Sequence, residues 1–199
     1  APADNDYRAR YGLTGRRVVM YAGNVGFSQS LDLVLGAARA LADRPEVVFV
    51  INGGGSARPG LEARAAGLDN VVFAPAGDKH AAARLAAASD ACMTIFKDVP
   101  ILATNSPNKL FDTFAAGRPA IVNTGGWMRE LVEDHDAGTY VRPGDGADLA
   151  ARLRELAADP ERVRRLGANA RALAEREFDR DLLAGRLREL LERVAGEVR

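Results

Sequence analysis

The sequence predicts an α/β fold, a doubly wound parallel sheet of about six strands with helices on both faces. Three observations carry that expectation. Strand-like and helix-like segments alternate along most of the chain. Several strands are continuous apolar runs, as in strands covered on both faces. Glycines close the first two strands, where tight turns lead into helices. A chain of 199 residues is long enough for one domain with a real core.

Each element can be justified in order. Residues 17–23, RVVMYAG, form the first strand. Ser30 caps a helix, LDLVLGAARALAD, whose apolar residues recur at helical spacing. Residues 46–55, EVVFVINGGG, are the second strand, and a short helix follows at about 61–66. Residues 70–76 make the third strand, after which Asp78 caps HAAARLAAAS. Residues 91–96, ACMTIF, are the fourth strand, and a helix then runs to about Ala116. Residues 119–123 and 138–143 are the fifth and sixth strands, with a helix Trp127–Asp134 between them. The remainder, 147–158, 160–176 and 180–198, reads as helix. The last of these puts Leu182, Leu183, Leu187, Leu190, Leu191 and Val194 on one stripe, which needs something to pack against.

Composition excludes several classes. Lys+Arg and Asp+Glu both number 27, so no net field draws the chain to nucleic acid or an anionic membrane. One cysteine, Cys92, rules out an internal disulfide framework and points to a reducing, cytoplasmic setting. No apolar run reaches the length of about 18 residues that a membrane span needs, and no signal-peptide pattern is visible. His80 and His135 have no partners at metal-ligand spacing, so no metal is expected. The chain opens on Ala1 with a linker-like stretch, so a piece of a longer protein is expected. The expected organisation is a linker over residues 1–16, one domain over 17–178 and a C-terminal amphipathic helix over 179–199.

On a doubly wound sheet, ligands bind beyond the carboxyl ends of the strands. The loops that matter are therefore 23–29, 52–58, 74–79, 97–108 and 124–128. The first combines strand, glycine turn and helix start, a ready anion site, but its Gly23-x-x-Gly26 spacing is not G-x-G-x-x-G. The second strand ends in Asn52 where a dinucleotide fold offers an acid, and no P-loop is present. The triple glycine at 53–55 allows close approach of backbone either to a ligand or to a neighbouring loop.

The stretch NSPNKLFDTFAAGRP is the most informative. Ser106 followed by Pro107 reads as a cap and first helical residue, which puts Lys109 third in the helix. That end of a helix disfavours a cation by about 0.3–1 kcal/mol. A helical wheel puts Leu110, Phe111, Phe114 and Ala115 on one face and Lys109, Asp112 and Thr113 on the other. An i,i+3 ion pair with Asp112 would offset the penalty and is the plain alternative. The ligand-side position favours another reading, in which Lys109 and the helix N–H groups share a phosphate. Asp112 could accept two ribose hydroxyls. Trp127 either lines a pocket or belongs to the core.

The run YAGNVGFSQSLDLVLGAARAL…VVFVINGGG…NVVFAPA…SPNKLFDTFAAGRPAIVNTGGWMRELVEDHDAGTYVRPGD resembles the C-terminal, donor-binding domain of family 4 (group 1) glycosyltransferases of GT-B fold. The likeness runs in order from about Arg17 to Phe178 and is sharpest at KLFDTFAAGRPAIV. Within the family it is similar to bacterial members that build surface polysaccharides. It implies the Rossmann-like C-terminal half of a GT-B enzyme. A nucleoside diphosphate sugar, UDP-linked by family habit, would be bound without a cofactor. The partner would be an acceptor-binding N-terminal domain on the cytoplasmic side, or at the inner face of the membrane.

Carried over residue by residue, the resemblance implies that Asp112 holds the ribose and that Gly23 and Gly26 face the diphosphate. Gly53 and Gly55 match the glycines after the second strand. Ala76 meets the base, and Ser106 and Asn108 offer backbone N–H groups. The family's first motif acid falls at Thr104, and its usual Arg and Lys on the first loop fall at Asn24 and Gln29. Lys109 is then the expected catalytic cation, compensating for those two. The implied activity is transfer of a sugar, with retention, to a glycan or lipid-linked acceptor. The fragment alone is expected to be inactive. The alternatives are a non-catalytic nucleotide-sugar-binding module and a GT-B sugar-nucleotide 2-epimerase.

Overall fold

The inner strands are too apolar to leave open on either face, and each strand is followed by a helix, so the strands are laid down parallel. In the computed structural model, which describes residues 6–197, the central strand is β1 (Arg17–Ala22). It pairs on one side with β2 (Val47–Asn52) and on the other with β4 (Ala91–Thr94). Adding β3 (Val71–Ala74), β5 (Ala120–Val122) and β6 (Gly138–Tyr140) gives an all-parallel sheet of order β3-β2-β1-β4-β5-β6. Every residue of β2 and of β4 is buried, as the continuous apolar runs required. The strands end one to three residues earlier than the sequence suggests, because the terminal residues turn away to build the ligand-side loops.

Helices α2 (Leu31–Ala40), α3 (Arg58–Arg64) and α7 (Gly146–Ala158) cover one face. There Val34, Leu35 and Leu153 pack on Val19, Phe49 and Met93. The other face carries α4 (Lys79–Ala88), α5 (Asn108–Ala115), α6 (Trp127–Asp134) and α8 (Pro160–Glu177). Leu85 packs there with Met20 and Cys92, and Phe114 with Phe96 and Val122. Ser30 stands at the start of α2 without a side-chain cap bond, whereas Asp78 accepts from Ala81 N at 2.7 Å as expected.

Two elements were not anticipated. A short 3₁₀ helix occupies Pro100–Thr104, where Pro100 starts a tight turn. Helix α1 (Asp6–Arg10) lies in the stretch expected as linker. Arg8 ties it to the sheet, donating to Ala88 O at 2.8 Å and to Asp90 Oδ2 at 3.0 Å, the same oxygen that accepts from Val18 N. At the other end, α9 (Arg180–Glu197) leaves its leucine stripe open, with Leu187 at 56% and Leu191 at 60% exposure. Residues 1–5, Val198 and Arg199 of the expected elements lie outside the described residues.

The ligand-side ends of β4 and β5 are tied by one buried amide. Asn123 accepts from Phe96 N and donates to Phe96 O, both at 2.8 Å. Asn123→Ala leaves two buried backbone groups unpaired, a cost of about 2–4 kcal/mol. In a chain of this size that lowers the melting temperature by roughly 5–15 °C. Differential scanning calorimetry checks it, and an unchanged melting curve would contradict the clamp.

Candidate functional site

The strand order reverses between β1 and β4, and beyond their carboxyl ends the loops diverge and leave a crevice. A cavity of about 1000 Å³ opens there. Of the residues singled out in the sequence, Gly23, Asn24, Gln29, Gly53, Ala76, Asn108, Lys109 and Asp112 line it, whereas Gly26, Gly55, Thr104 and Ser106 stand outside the lining.

The first two loops are sewn to each other. Gly23 N donates to Asn52 O at 2.9 Å, Val25 N to Gly54 O at 2.8 Å and Ala57 N to Val25 O at 3.0 Å. This proximity explains the triple glycine. A Cβ on Gly53 (φ +140°) would fall 1.9 Å from Gly23 O, and one on Gly55 (φ +149°) 2.4 Å from Val25 O. Of the two readings left open by the sequence, the neighbouring loop is what Gly53 and Gly55 meet. Asn24 is wedged into the same junction. A Cβ on Gly26 would meet its Nδ2 at 2.6 Å, and one on Gly55 its Oδ1 at 2.5 Å. Gln29 Oε1 accepts from Gly26 N at 3.2 Å, and Thr104 Oγ1 donates to Ile101 O at 2.8 Å. The three departures from the family pattern are thus absorbed in local loop structure.

Helix α5 starts differently from the sequence expectation. Pro107, not Ser106, takes the cap position, with extended backbone (φ −81°, ψ 125°), so the helix begins at Asn108 and Lys109 is its second residue. Pro107 is buried at the cavity wall, and the chain stays extended through it. No side chain caps α5, so its first N–H groups face the cavity without a side-chain acceptor. The plain alternative, a solvated Lys109–Asp112 pair, is absent among the described ion pairs. The wheel also misplaces Thr113 and Ala115. Thr113 is buried and donates to Lys109 O at 2.7 Å, while Ala115 is exposed. The cause is packing: α5 is held between the sheet and α8, with Phe111 against Phe178 at 4.7 Å and against Trp127 at 6.3 Å. Trp127 therefore belongs to the core cluster of α5, α6 and α8.

Lys109 turns inward instead. Its Nζ donates to Tyr21 Oη at 2.8 Å and stands 4.2 Å from the Tyr21 ring centroid and 5.9 Å from that of Phe96. A Cβ on Gly23 (φ +134°) would lie only 3.1 Å from that Nζ, so the ammonium sits directly beside the first glycine turn. Burial pulls the Lys109 pKa down to about 8. Asp112, one turn on, is exposed at the cavity wall.

Three further residues shape the site and were not singled out from sequence. Fully buried Tyr21 donates to Asn24 O at 2.7 Å, and burial pushes its phenol pKa upward. Arg58 Nη1 donates to Ala74 O at 2.8 Å and to Gly53 O, joining the ends of β2 and β3. Asn123 is the third. Tyr21 is the one hydroxyl in RVVMYAG, and a hydroxyl in an apolar run needs a partner. That signal was present. For Arg58 no sequence pattern marks the contact. Asn52, where a dinucleotide fold would have an acid, donates to Pro75 O at 2.6 Å. Cys92 is buried on the cavity floor, with its thiol pKa pushed up to about 12 by burial. His80 and His135 are exposed, and among the described residues no three His, Cys, Asp or Glu side chains converge as metal ligands. No described helix is long and apolar enough to cross a membrane.

Strand order, helices on both faces and a cavity at the switch point define a Rossmann-like α/β domain. Residues 16–159 match the family described as "Glycosyl transferases group 1". The chain belongs to the group 1 glycosyltransferases, family 4. A curated relative, the alpha-D-kanosaminyltransferase of Streptomyces kanamyceticus, is 27% identical over 195 residues, covering 93% of this chain and 49% of the relative. The chain thus spans about half of that protein. Two solved structures share the fold. HepE of Anabaena in complex with UDP-glucose superposes with a TM-score of 0.80 at 21% identity, over 96% of this chain and 53% of that one. The C-terminal domain of the group 1 family protein LpcC of Francisella tularensis gives 0.71 at 19%, over 90% of this chain and 95% of that one. The match to an isolated C-terminal domain fits the Rossmann-like C-terminal half of a GT-B fold.

Proposed function

We propose that this chain is the donor-binding half of a retaining glycosyltransferase that transfers a sugar from a nucleoside diphosphate, UDP by preference, to a glycan or lipid-linked acceptor. One observation carries the reading. A half-buried lysine sits beside an uncapped helix start and a glycine turn, at the switch point of a doubly wound sheet, in a cavity of about 1000 Å³. A cation there without a carboxylate partner suits a dianion, because N–H groups and ammonium both point positive charge at it. Asp112, about one helical turn deeper, takes the ribose hydroxyls. In transfer, Lys109 and the α5 N-terminus stabilise the charge that grows on the departing diphosphate, with Lys109 as the catalytic cation. Gly23 keeps the wall thin enough for the phosphate to approach, and Ala76 presents backbone to the base. Asn24 and Gln29 hold the first loop together; they do not supply charge. Ser106, outside the cavity lining, has no assigned contact. Acceptor binding is assigned to a second half such as the longer relatives have, so the 199-residue chain by itself binds donor and transfers nothing.

Loss of the first motif acid at Thr104 favours a second reading, a nucleotide-sugar-binding module without catalysis. Sugar transfer by the full-length protein separates the two.

Calorimetric titration with UDP, GDP, ADP and NAD tests the first reading. UDP should bind, NAD should not, and Asp112→Ala should weaken UDP by about 10-fold or more, as for a lost hydrogen bond to a charged group. Equal binding by Asp112→Ala would remove the ribose assignment. The affinity should also depend on pH. With a Lys109 pKa of about 8, the charged fraction falls about tenfold between pH 7 and pH 9, and UDP affinity should fall with it.

A further inference from the structure

The donor reading uses Lys109 but leaves unexplained why its ammonium stands where it does. Lysine is a long, flexible side chain, and a buried cation without a partner would swing out to water. Its cage contains no carboxylate. The titratable groups facing it or sharing its cavity are Tyr21 on β1, Cys92 on β4, Asp78 and Lys79 at the start of α4, and Asp112 on its own helix. Of these, Tyr21 alone has a hydrogen bond to Lys109, and the Tyr21 ring also lies under the ammonium. The Tyr21 hydroxyl has one proton, and it goes to Asn24 O, so its oxygen is left to accept from Lys109. The chain Lys109 Nζ–Tyr21 Oη–Asn24 O therefore runs in one direction only. It links α5 to the loop that follows β1, across a gap that no α5 backbone bond bridges. Asn24 is also the residue wedged between Gly26 and Gly55.

We propose that Tyr21 is a positioning residue of the donor site, whose hydroxyl holds the charged Lys109 against the Gly23–Asn24 turn so that lysine and loop meet the diphosphate together. This rests on the donor reading and adds to it a group that never touches the donor. When a diphosphate arrives, the ammonium needs only a short reach from Tyr21 Oη to a phosphate oxygen beside Gly23. The phenol stays protonated throughout and keeps its bond to Asn24 O, so the loop holds its shape when the lysine turns to the ligand.

The test reads Lys109 itself as well as binding. In the unsubstituted 199-residue chain carrying ¹³C-labelled lysine and tyrosine, the Lys109 Cε and Tyr21 Cζ resonances should titrate with one shared midpoint, and saturating UDP should move that midpoint upward. In Tyr21→Phe the ring remains but the acceptor is gone, so the Lys109 midpoint should fall and the alkaline limb of UDP affinity should move to lower pH. At pH 8, UDP should bind at least several-fold more weakly than to the parent. In a Lys109→Met background, Tyr21→Phe should cost clearly less UDP affinity than in the parent, since only the bond to Asn24 O is then left to lose. A Tyr21 Cζ resonance flat through the Lys109 titration would overturn the proposal. So would a Tyr21→Phe protein with the parent's Lys109 midpoint and pH limb, or an equal loss of affinity with and without Lys109. Should Tyr21→Phe fail to fold, the titration of the unsubstituted chain still decides. If the parent shows the shared titration but binds no UDP, the coupling stands and the donor reading fails, and the donor-positioning role falls with it.

Discussion

Lys109→Met is expected to weaken UDP binding by about 10- to 150-fold, the worth of a hydrogen bond to a charged group at about 1.5–3 kcal/mol. The same change should leave the ligand-free protein as stable as the parent, or more so. The two signs follow from one fact. Lys109 is half-buried beside Tyr21 and Phe96 with no carboxylate partner, so its charge is held at a cost that partial burial imposes. Methionine has similar length and fills the space without that cost. The pH dependence of stability has a definite sign. The pKa is about 8 in the folded protein against 10.5 in the unfolded chain, so between those values the unfolded chain holds the proton that the folded chain has lost. Stability of the ligand-free protein therefore rises with pH across that window, and Lys109→Met removes this rise. Urea denaturation at pH 7 and pH 10 with and without UDP measures both effects. A destabilised Lys109→Met protein that binds UDP normally would mean that the lysine is structural.

Gly53→Ala should be the most damaging single change at the site. The φ of +140° already disfavours any Cβ, and that Cβ would stand 1.9 Å from Gly23 O. The neighbour is backbone, itself bonded through Gly23 N to Asn52 O, so nothing soft can yield. The two glycine loops must separate, breaking the bonds of Val25 to Gly54 and of Ala57 to Val25. A cost of about 3–5 kcal/mol is expected, in the range of the severe single substitutions. That lowers the melting temperature by roughly 6–20 °C. Where the protein still folds, UDP affinity should also drop, since the Gly23 turn moves away from Lys109. Gly54→Ala, with open space around the added Cβ, is the matched control and should be nearly silent. Equal melting temperatures for the two variants would contradict the sewn-loop arrangement.

These particulars show what the sequence makes legible. The apolar runs of β2 and β4 carry the sheet, because burial on both faces leaves a pattern that needs no partner to be read. The inner strands are recovered for that reason, while half-buried β3 and β6 are found by the alternation of strand and helix. Cavity-lining residues on loops after strands, such as Gly23, Ala76 and Asp112, are legible through the rule that ligands sit at the carboxyl ends. What was missed depends on contacts between segments far apart in sequence. The helical wheel puts Lys109 on one face with Asp112, and only the position of β1, 88 residues away, turns it toward Tyr21. Thr113 reads as polar and exposed on a wheel, yet it is buried facing Cys92 of β4 and turns its hydroxyl back to Lys109 O. The role of Gly53 depends on Gly23 O, and that of Asn123 on Phe96. The start of α5 was misread because Ser-Pro is a common helix opening, and buried Pro107 overrode that local preference.

The most direct measurement is a calorimetric titration of the chain with UDP at pH 8 in two buffers of different ionisation enthalpy. With a Lys109 pKa of about 8 in the free protein, roughly half of the molecules lack the ammonium. A diphosphate beside it raises that pKa, so binding should take up about half a proton, and Lys109→Met should abolish the uptake. UDP binding with no buffer-dependent heat would contradict the placement of Lys109 at the diphosphate, and an absence of UDP binding would contradict the donor site itself.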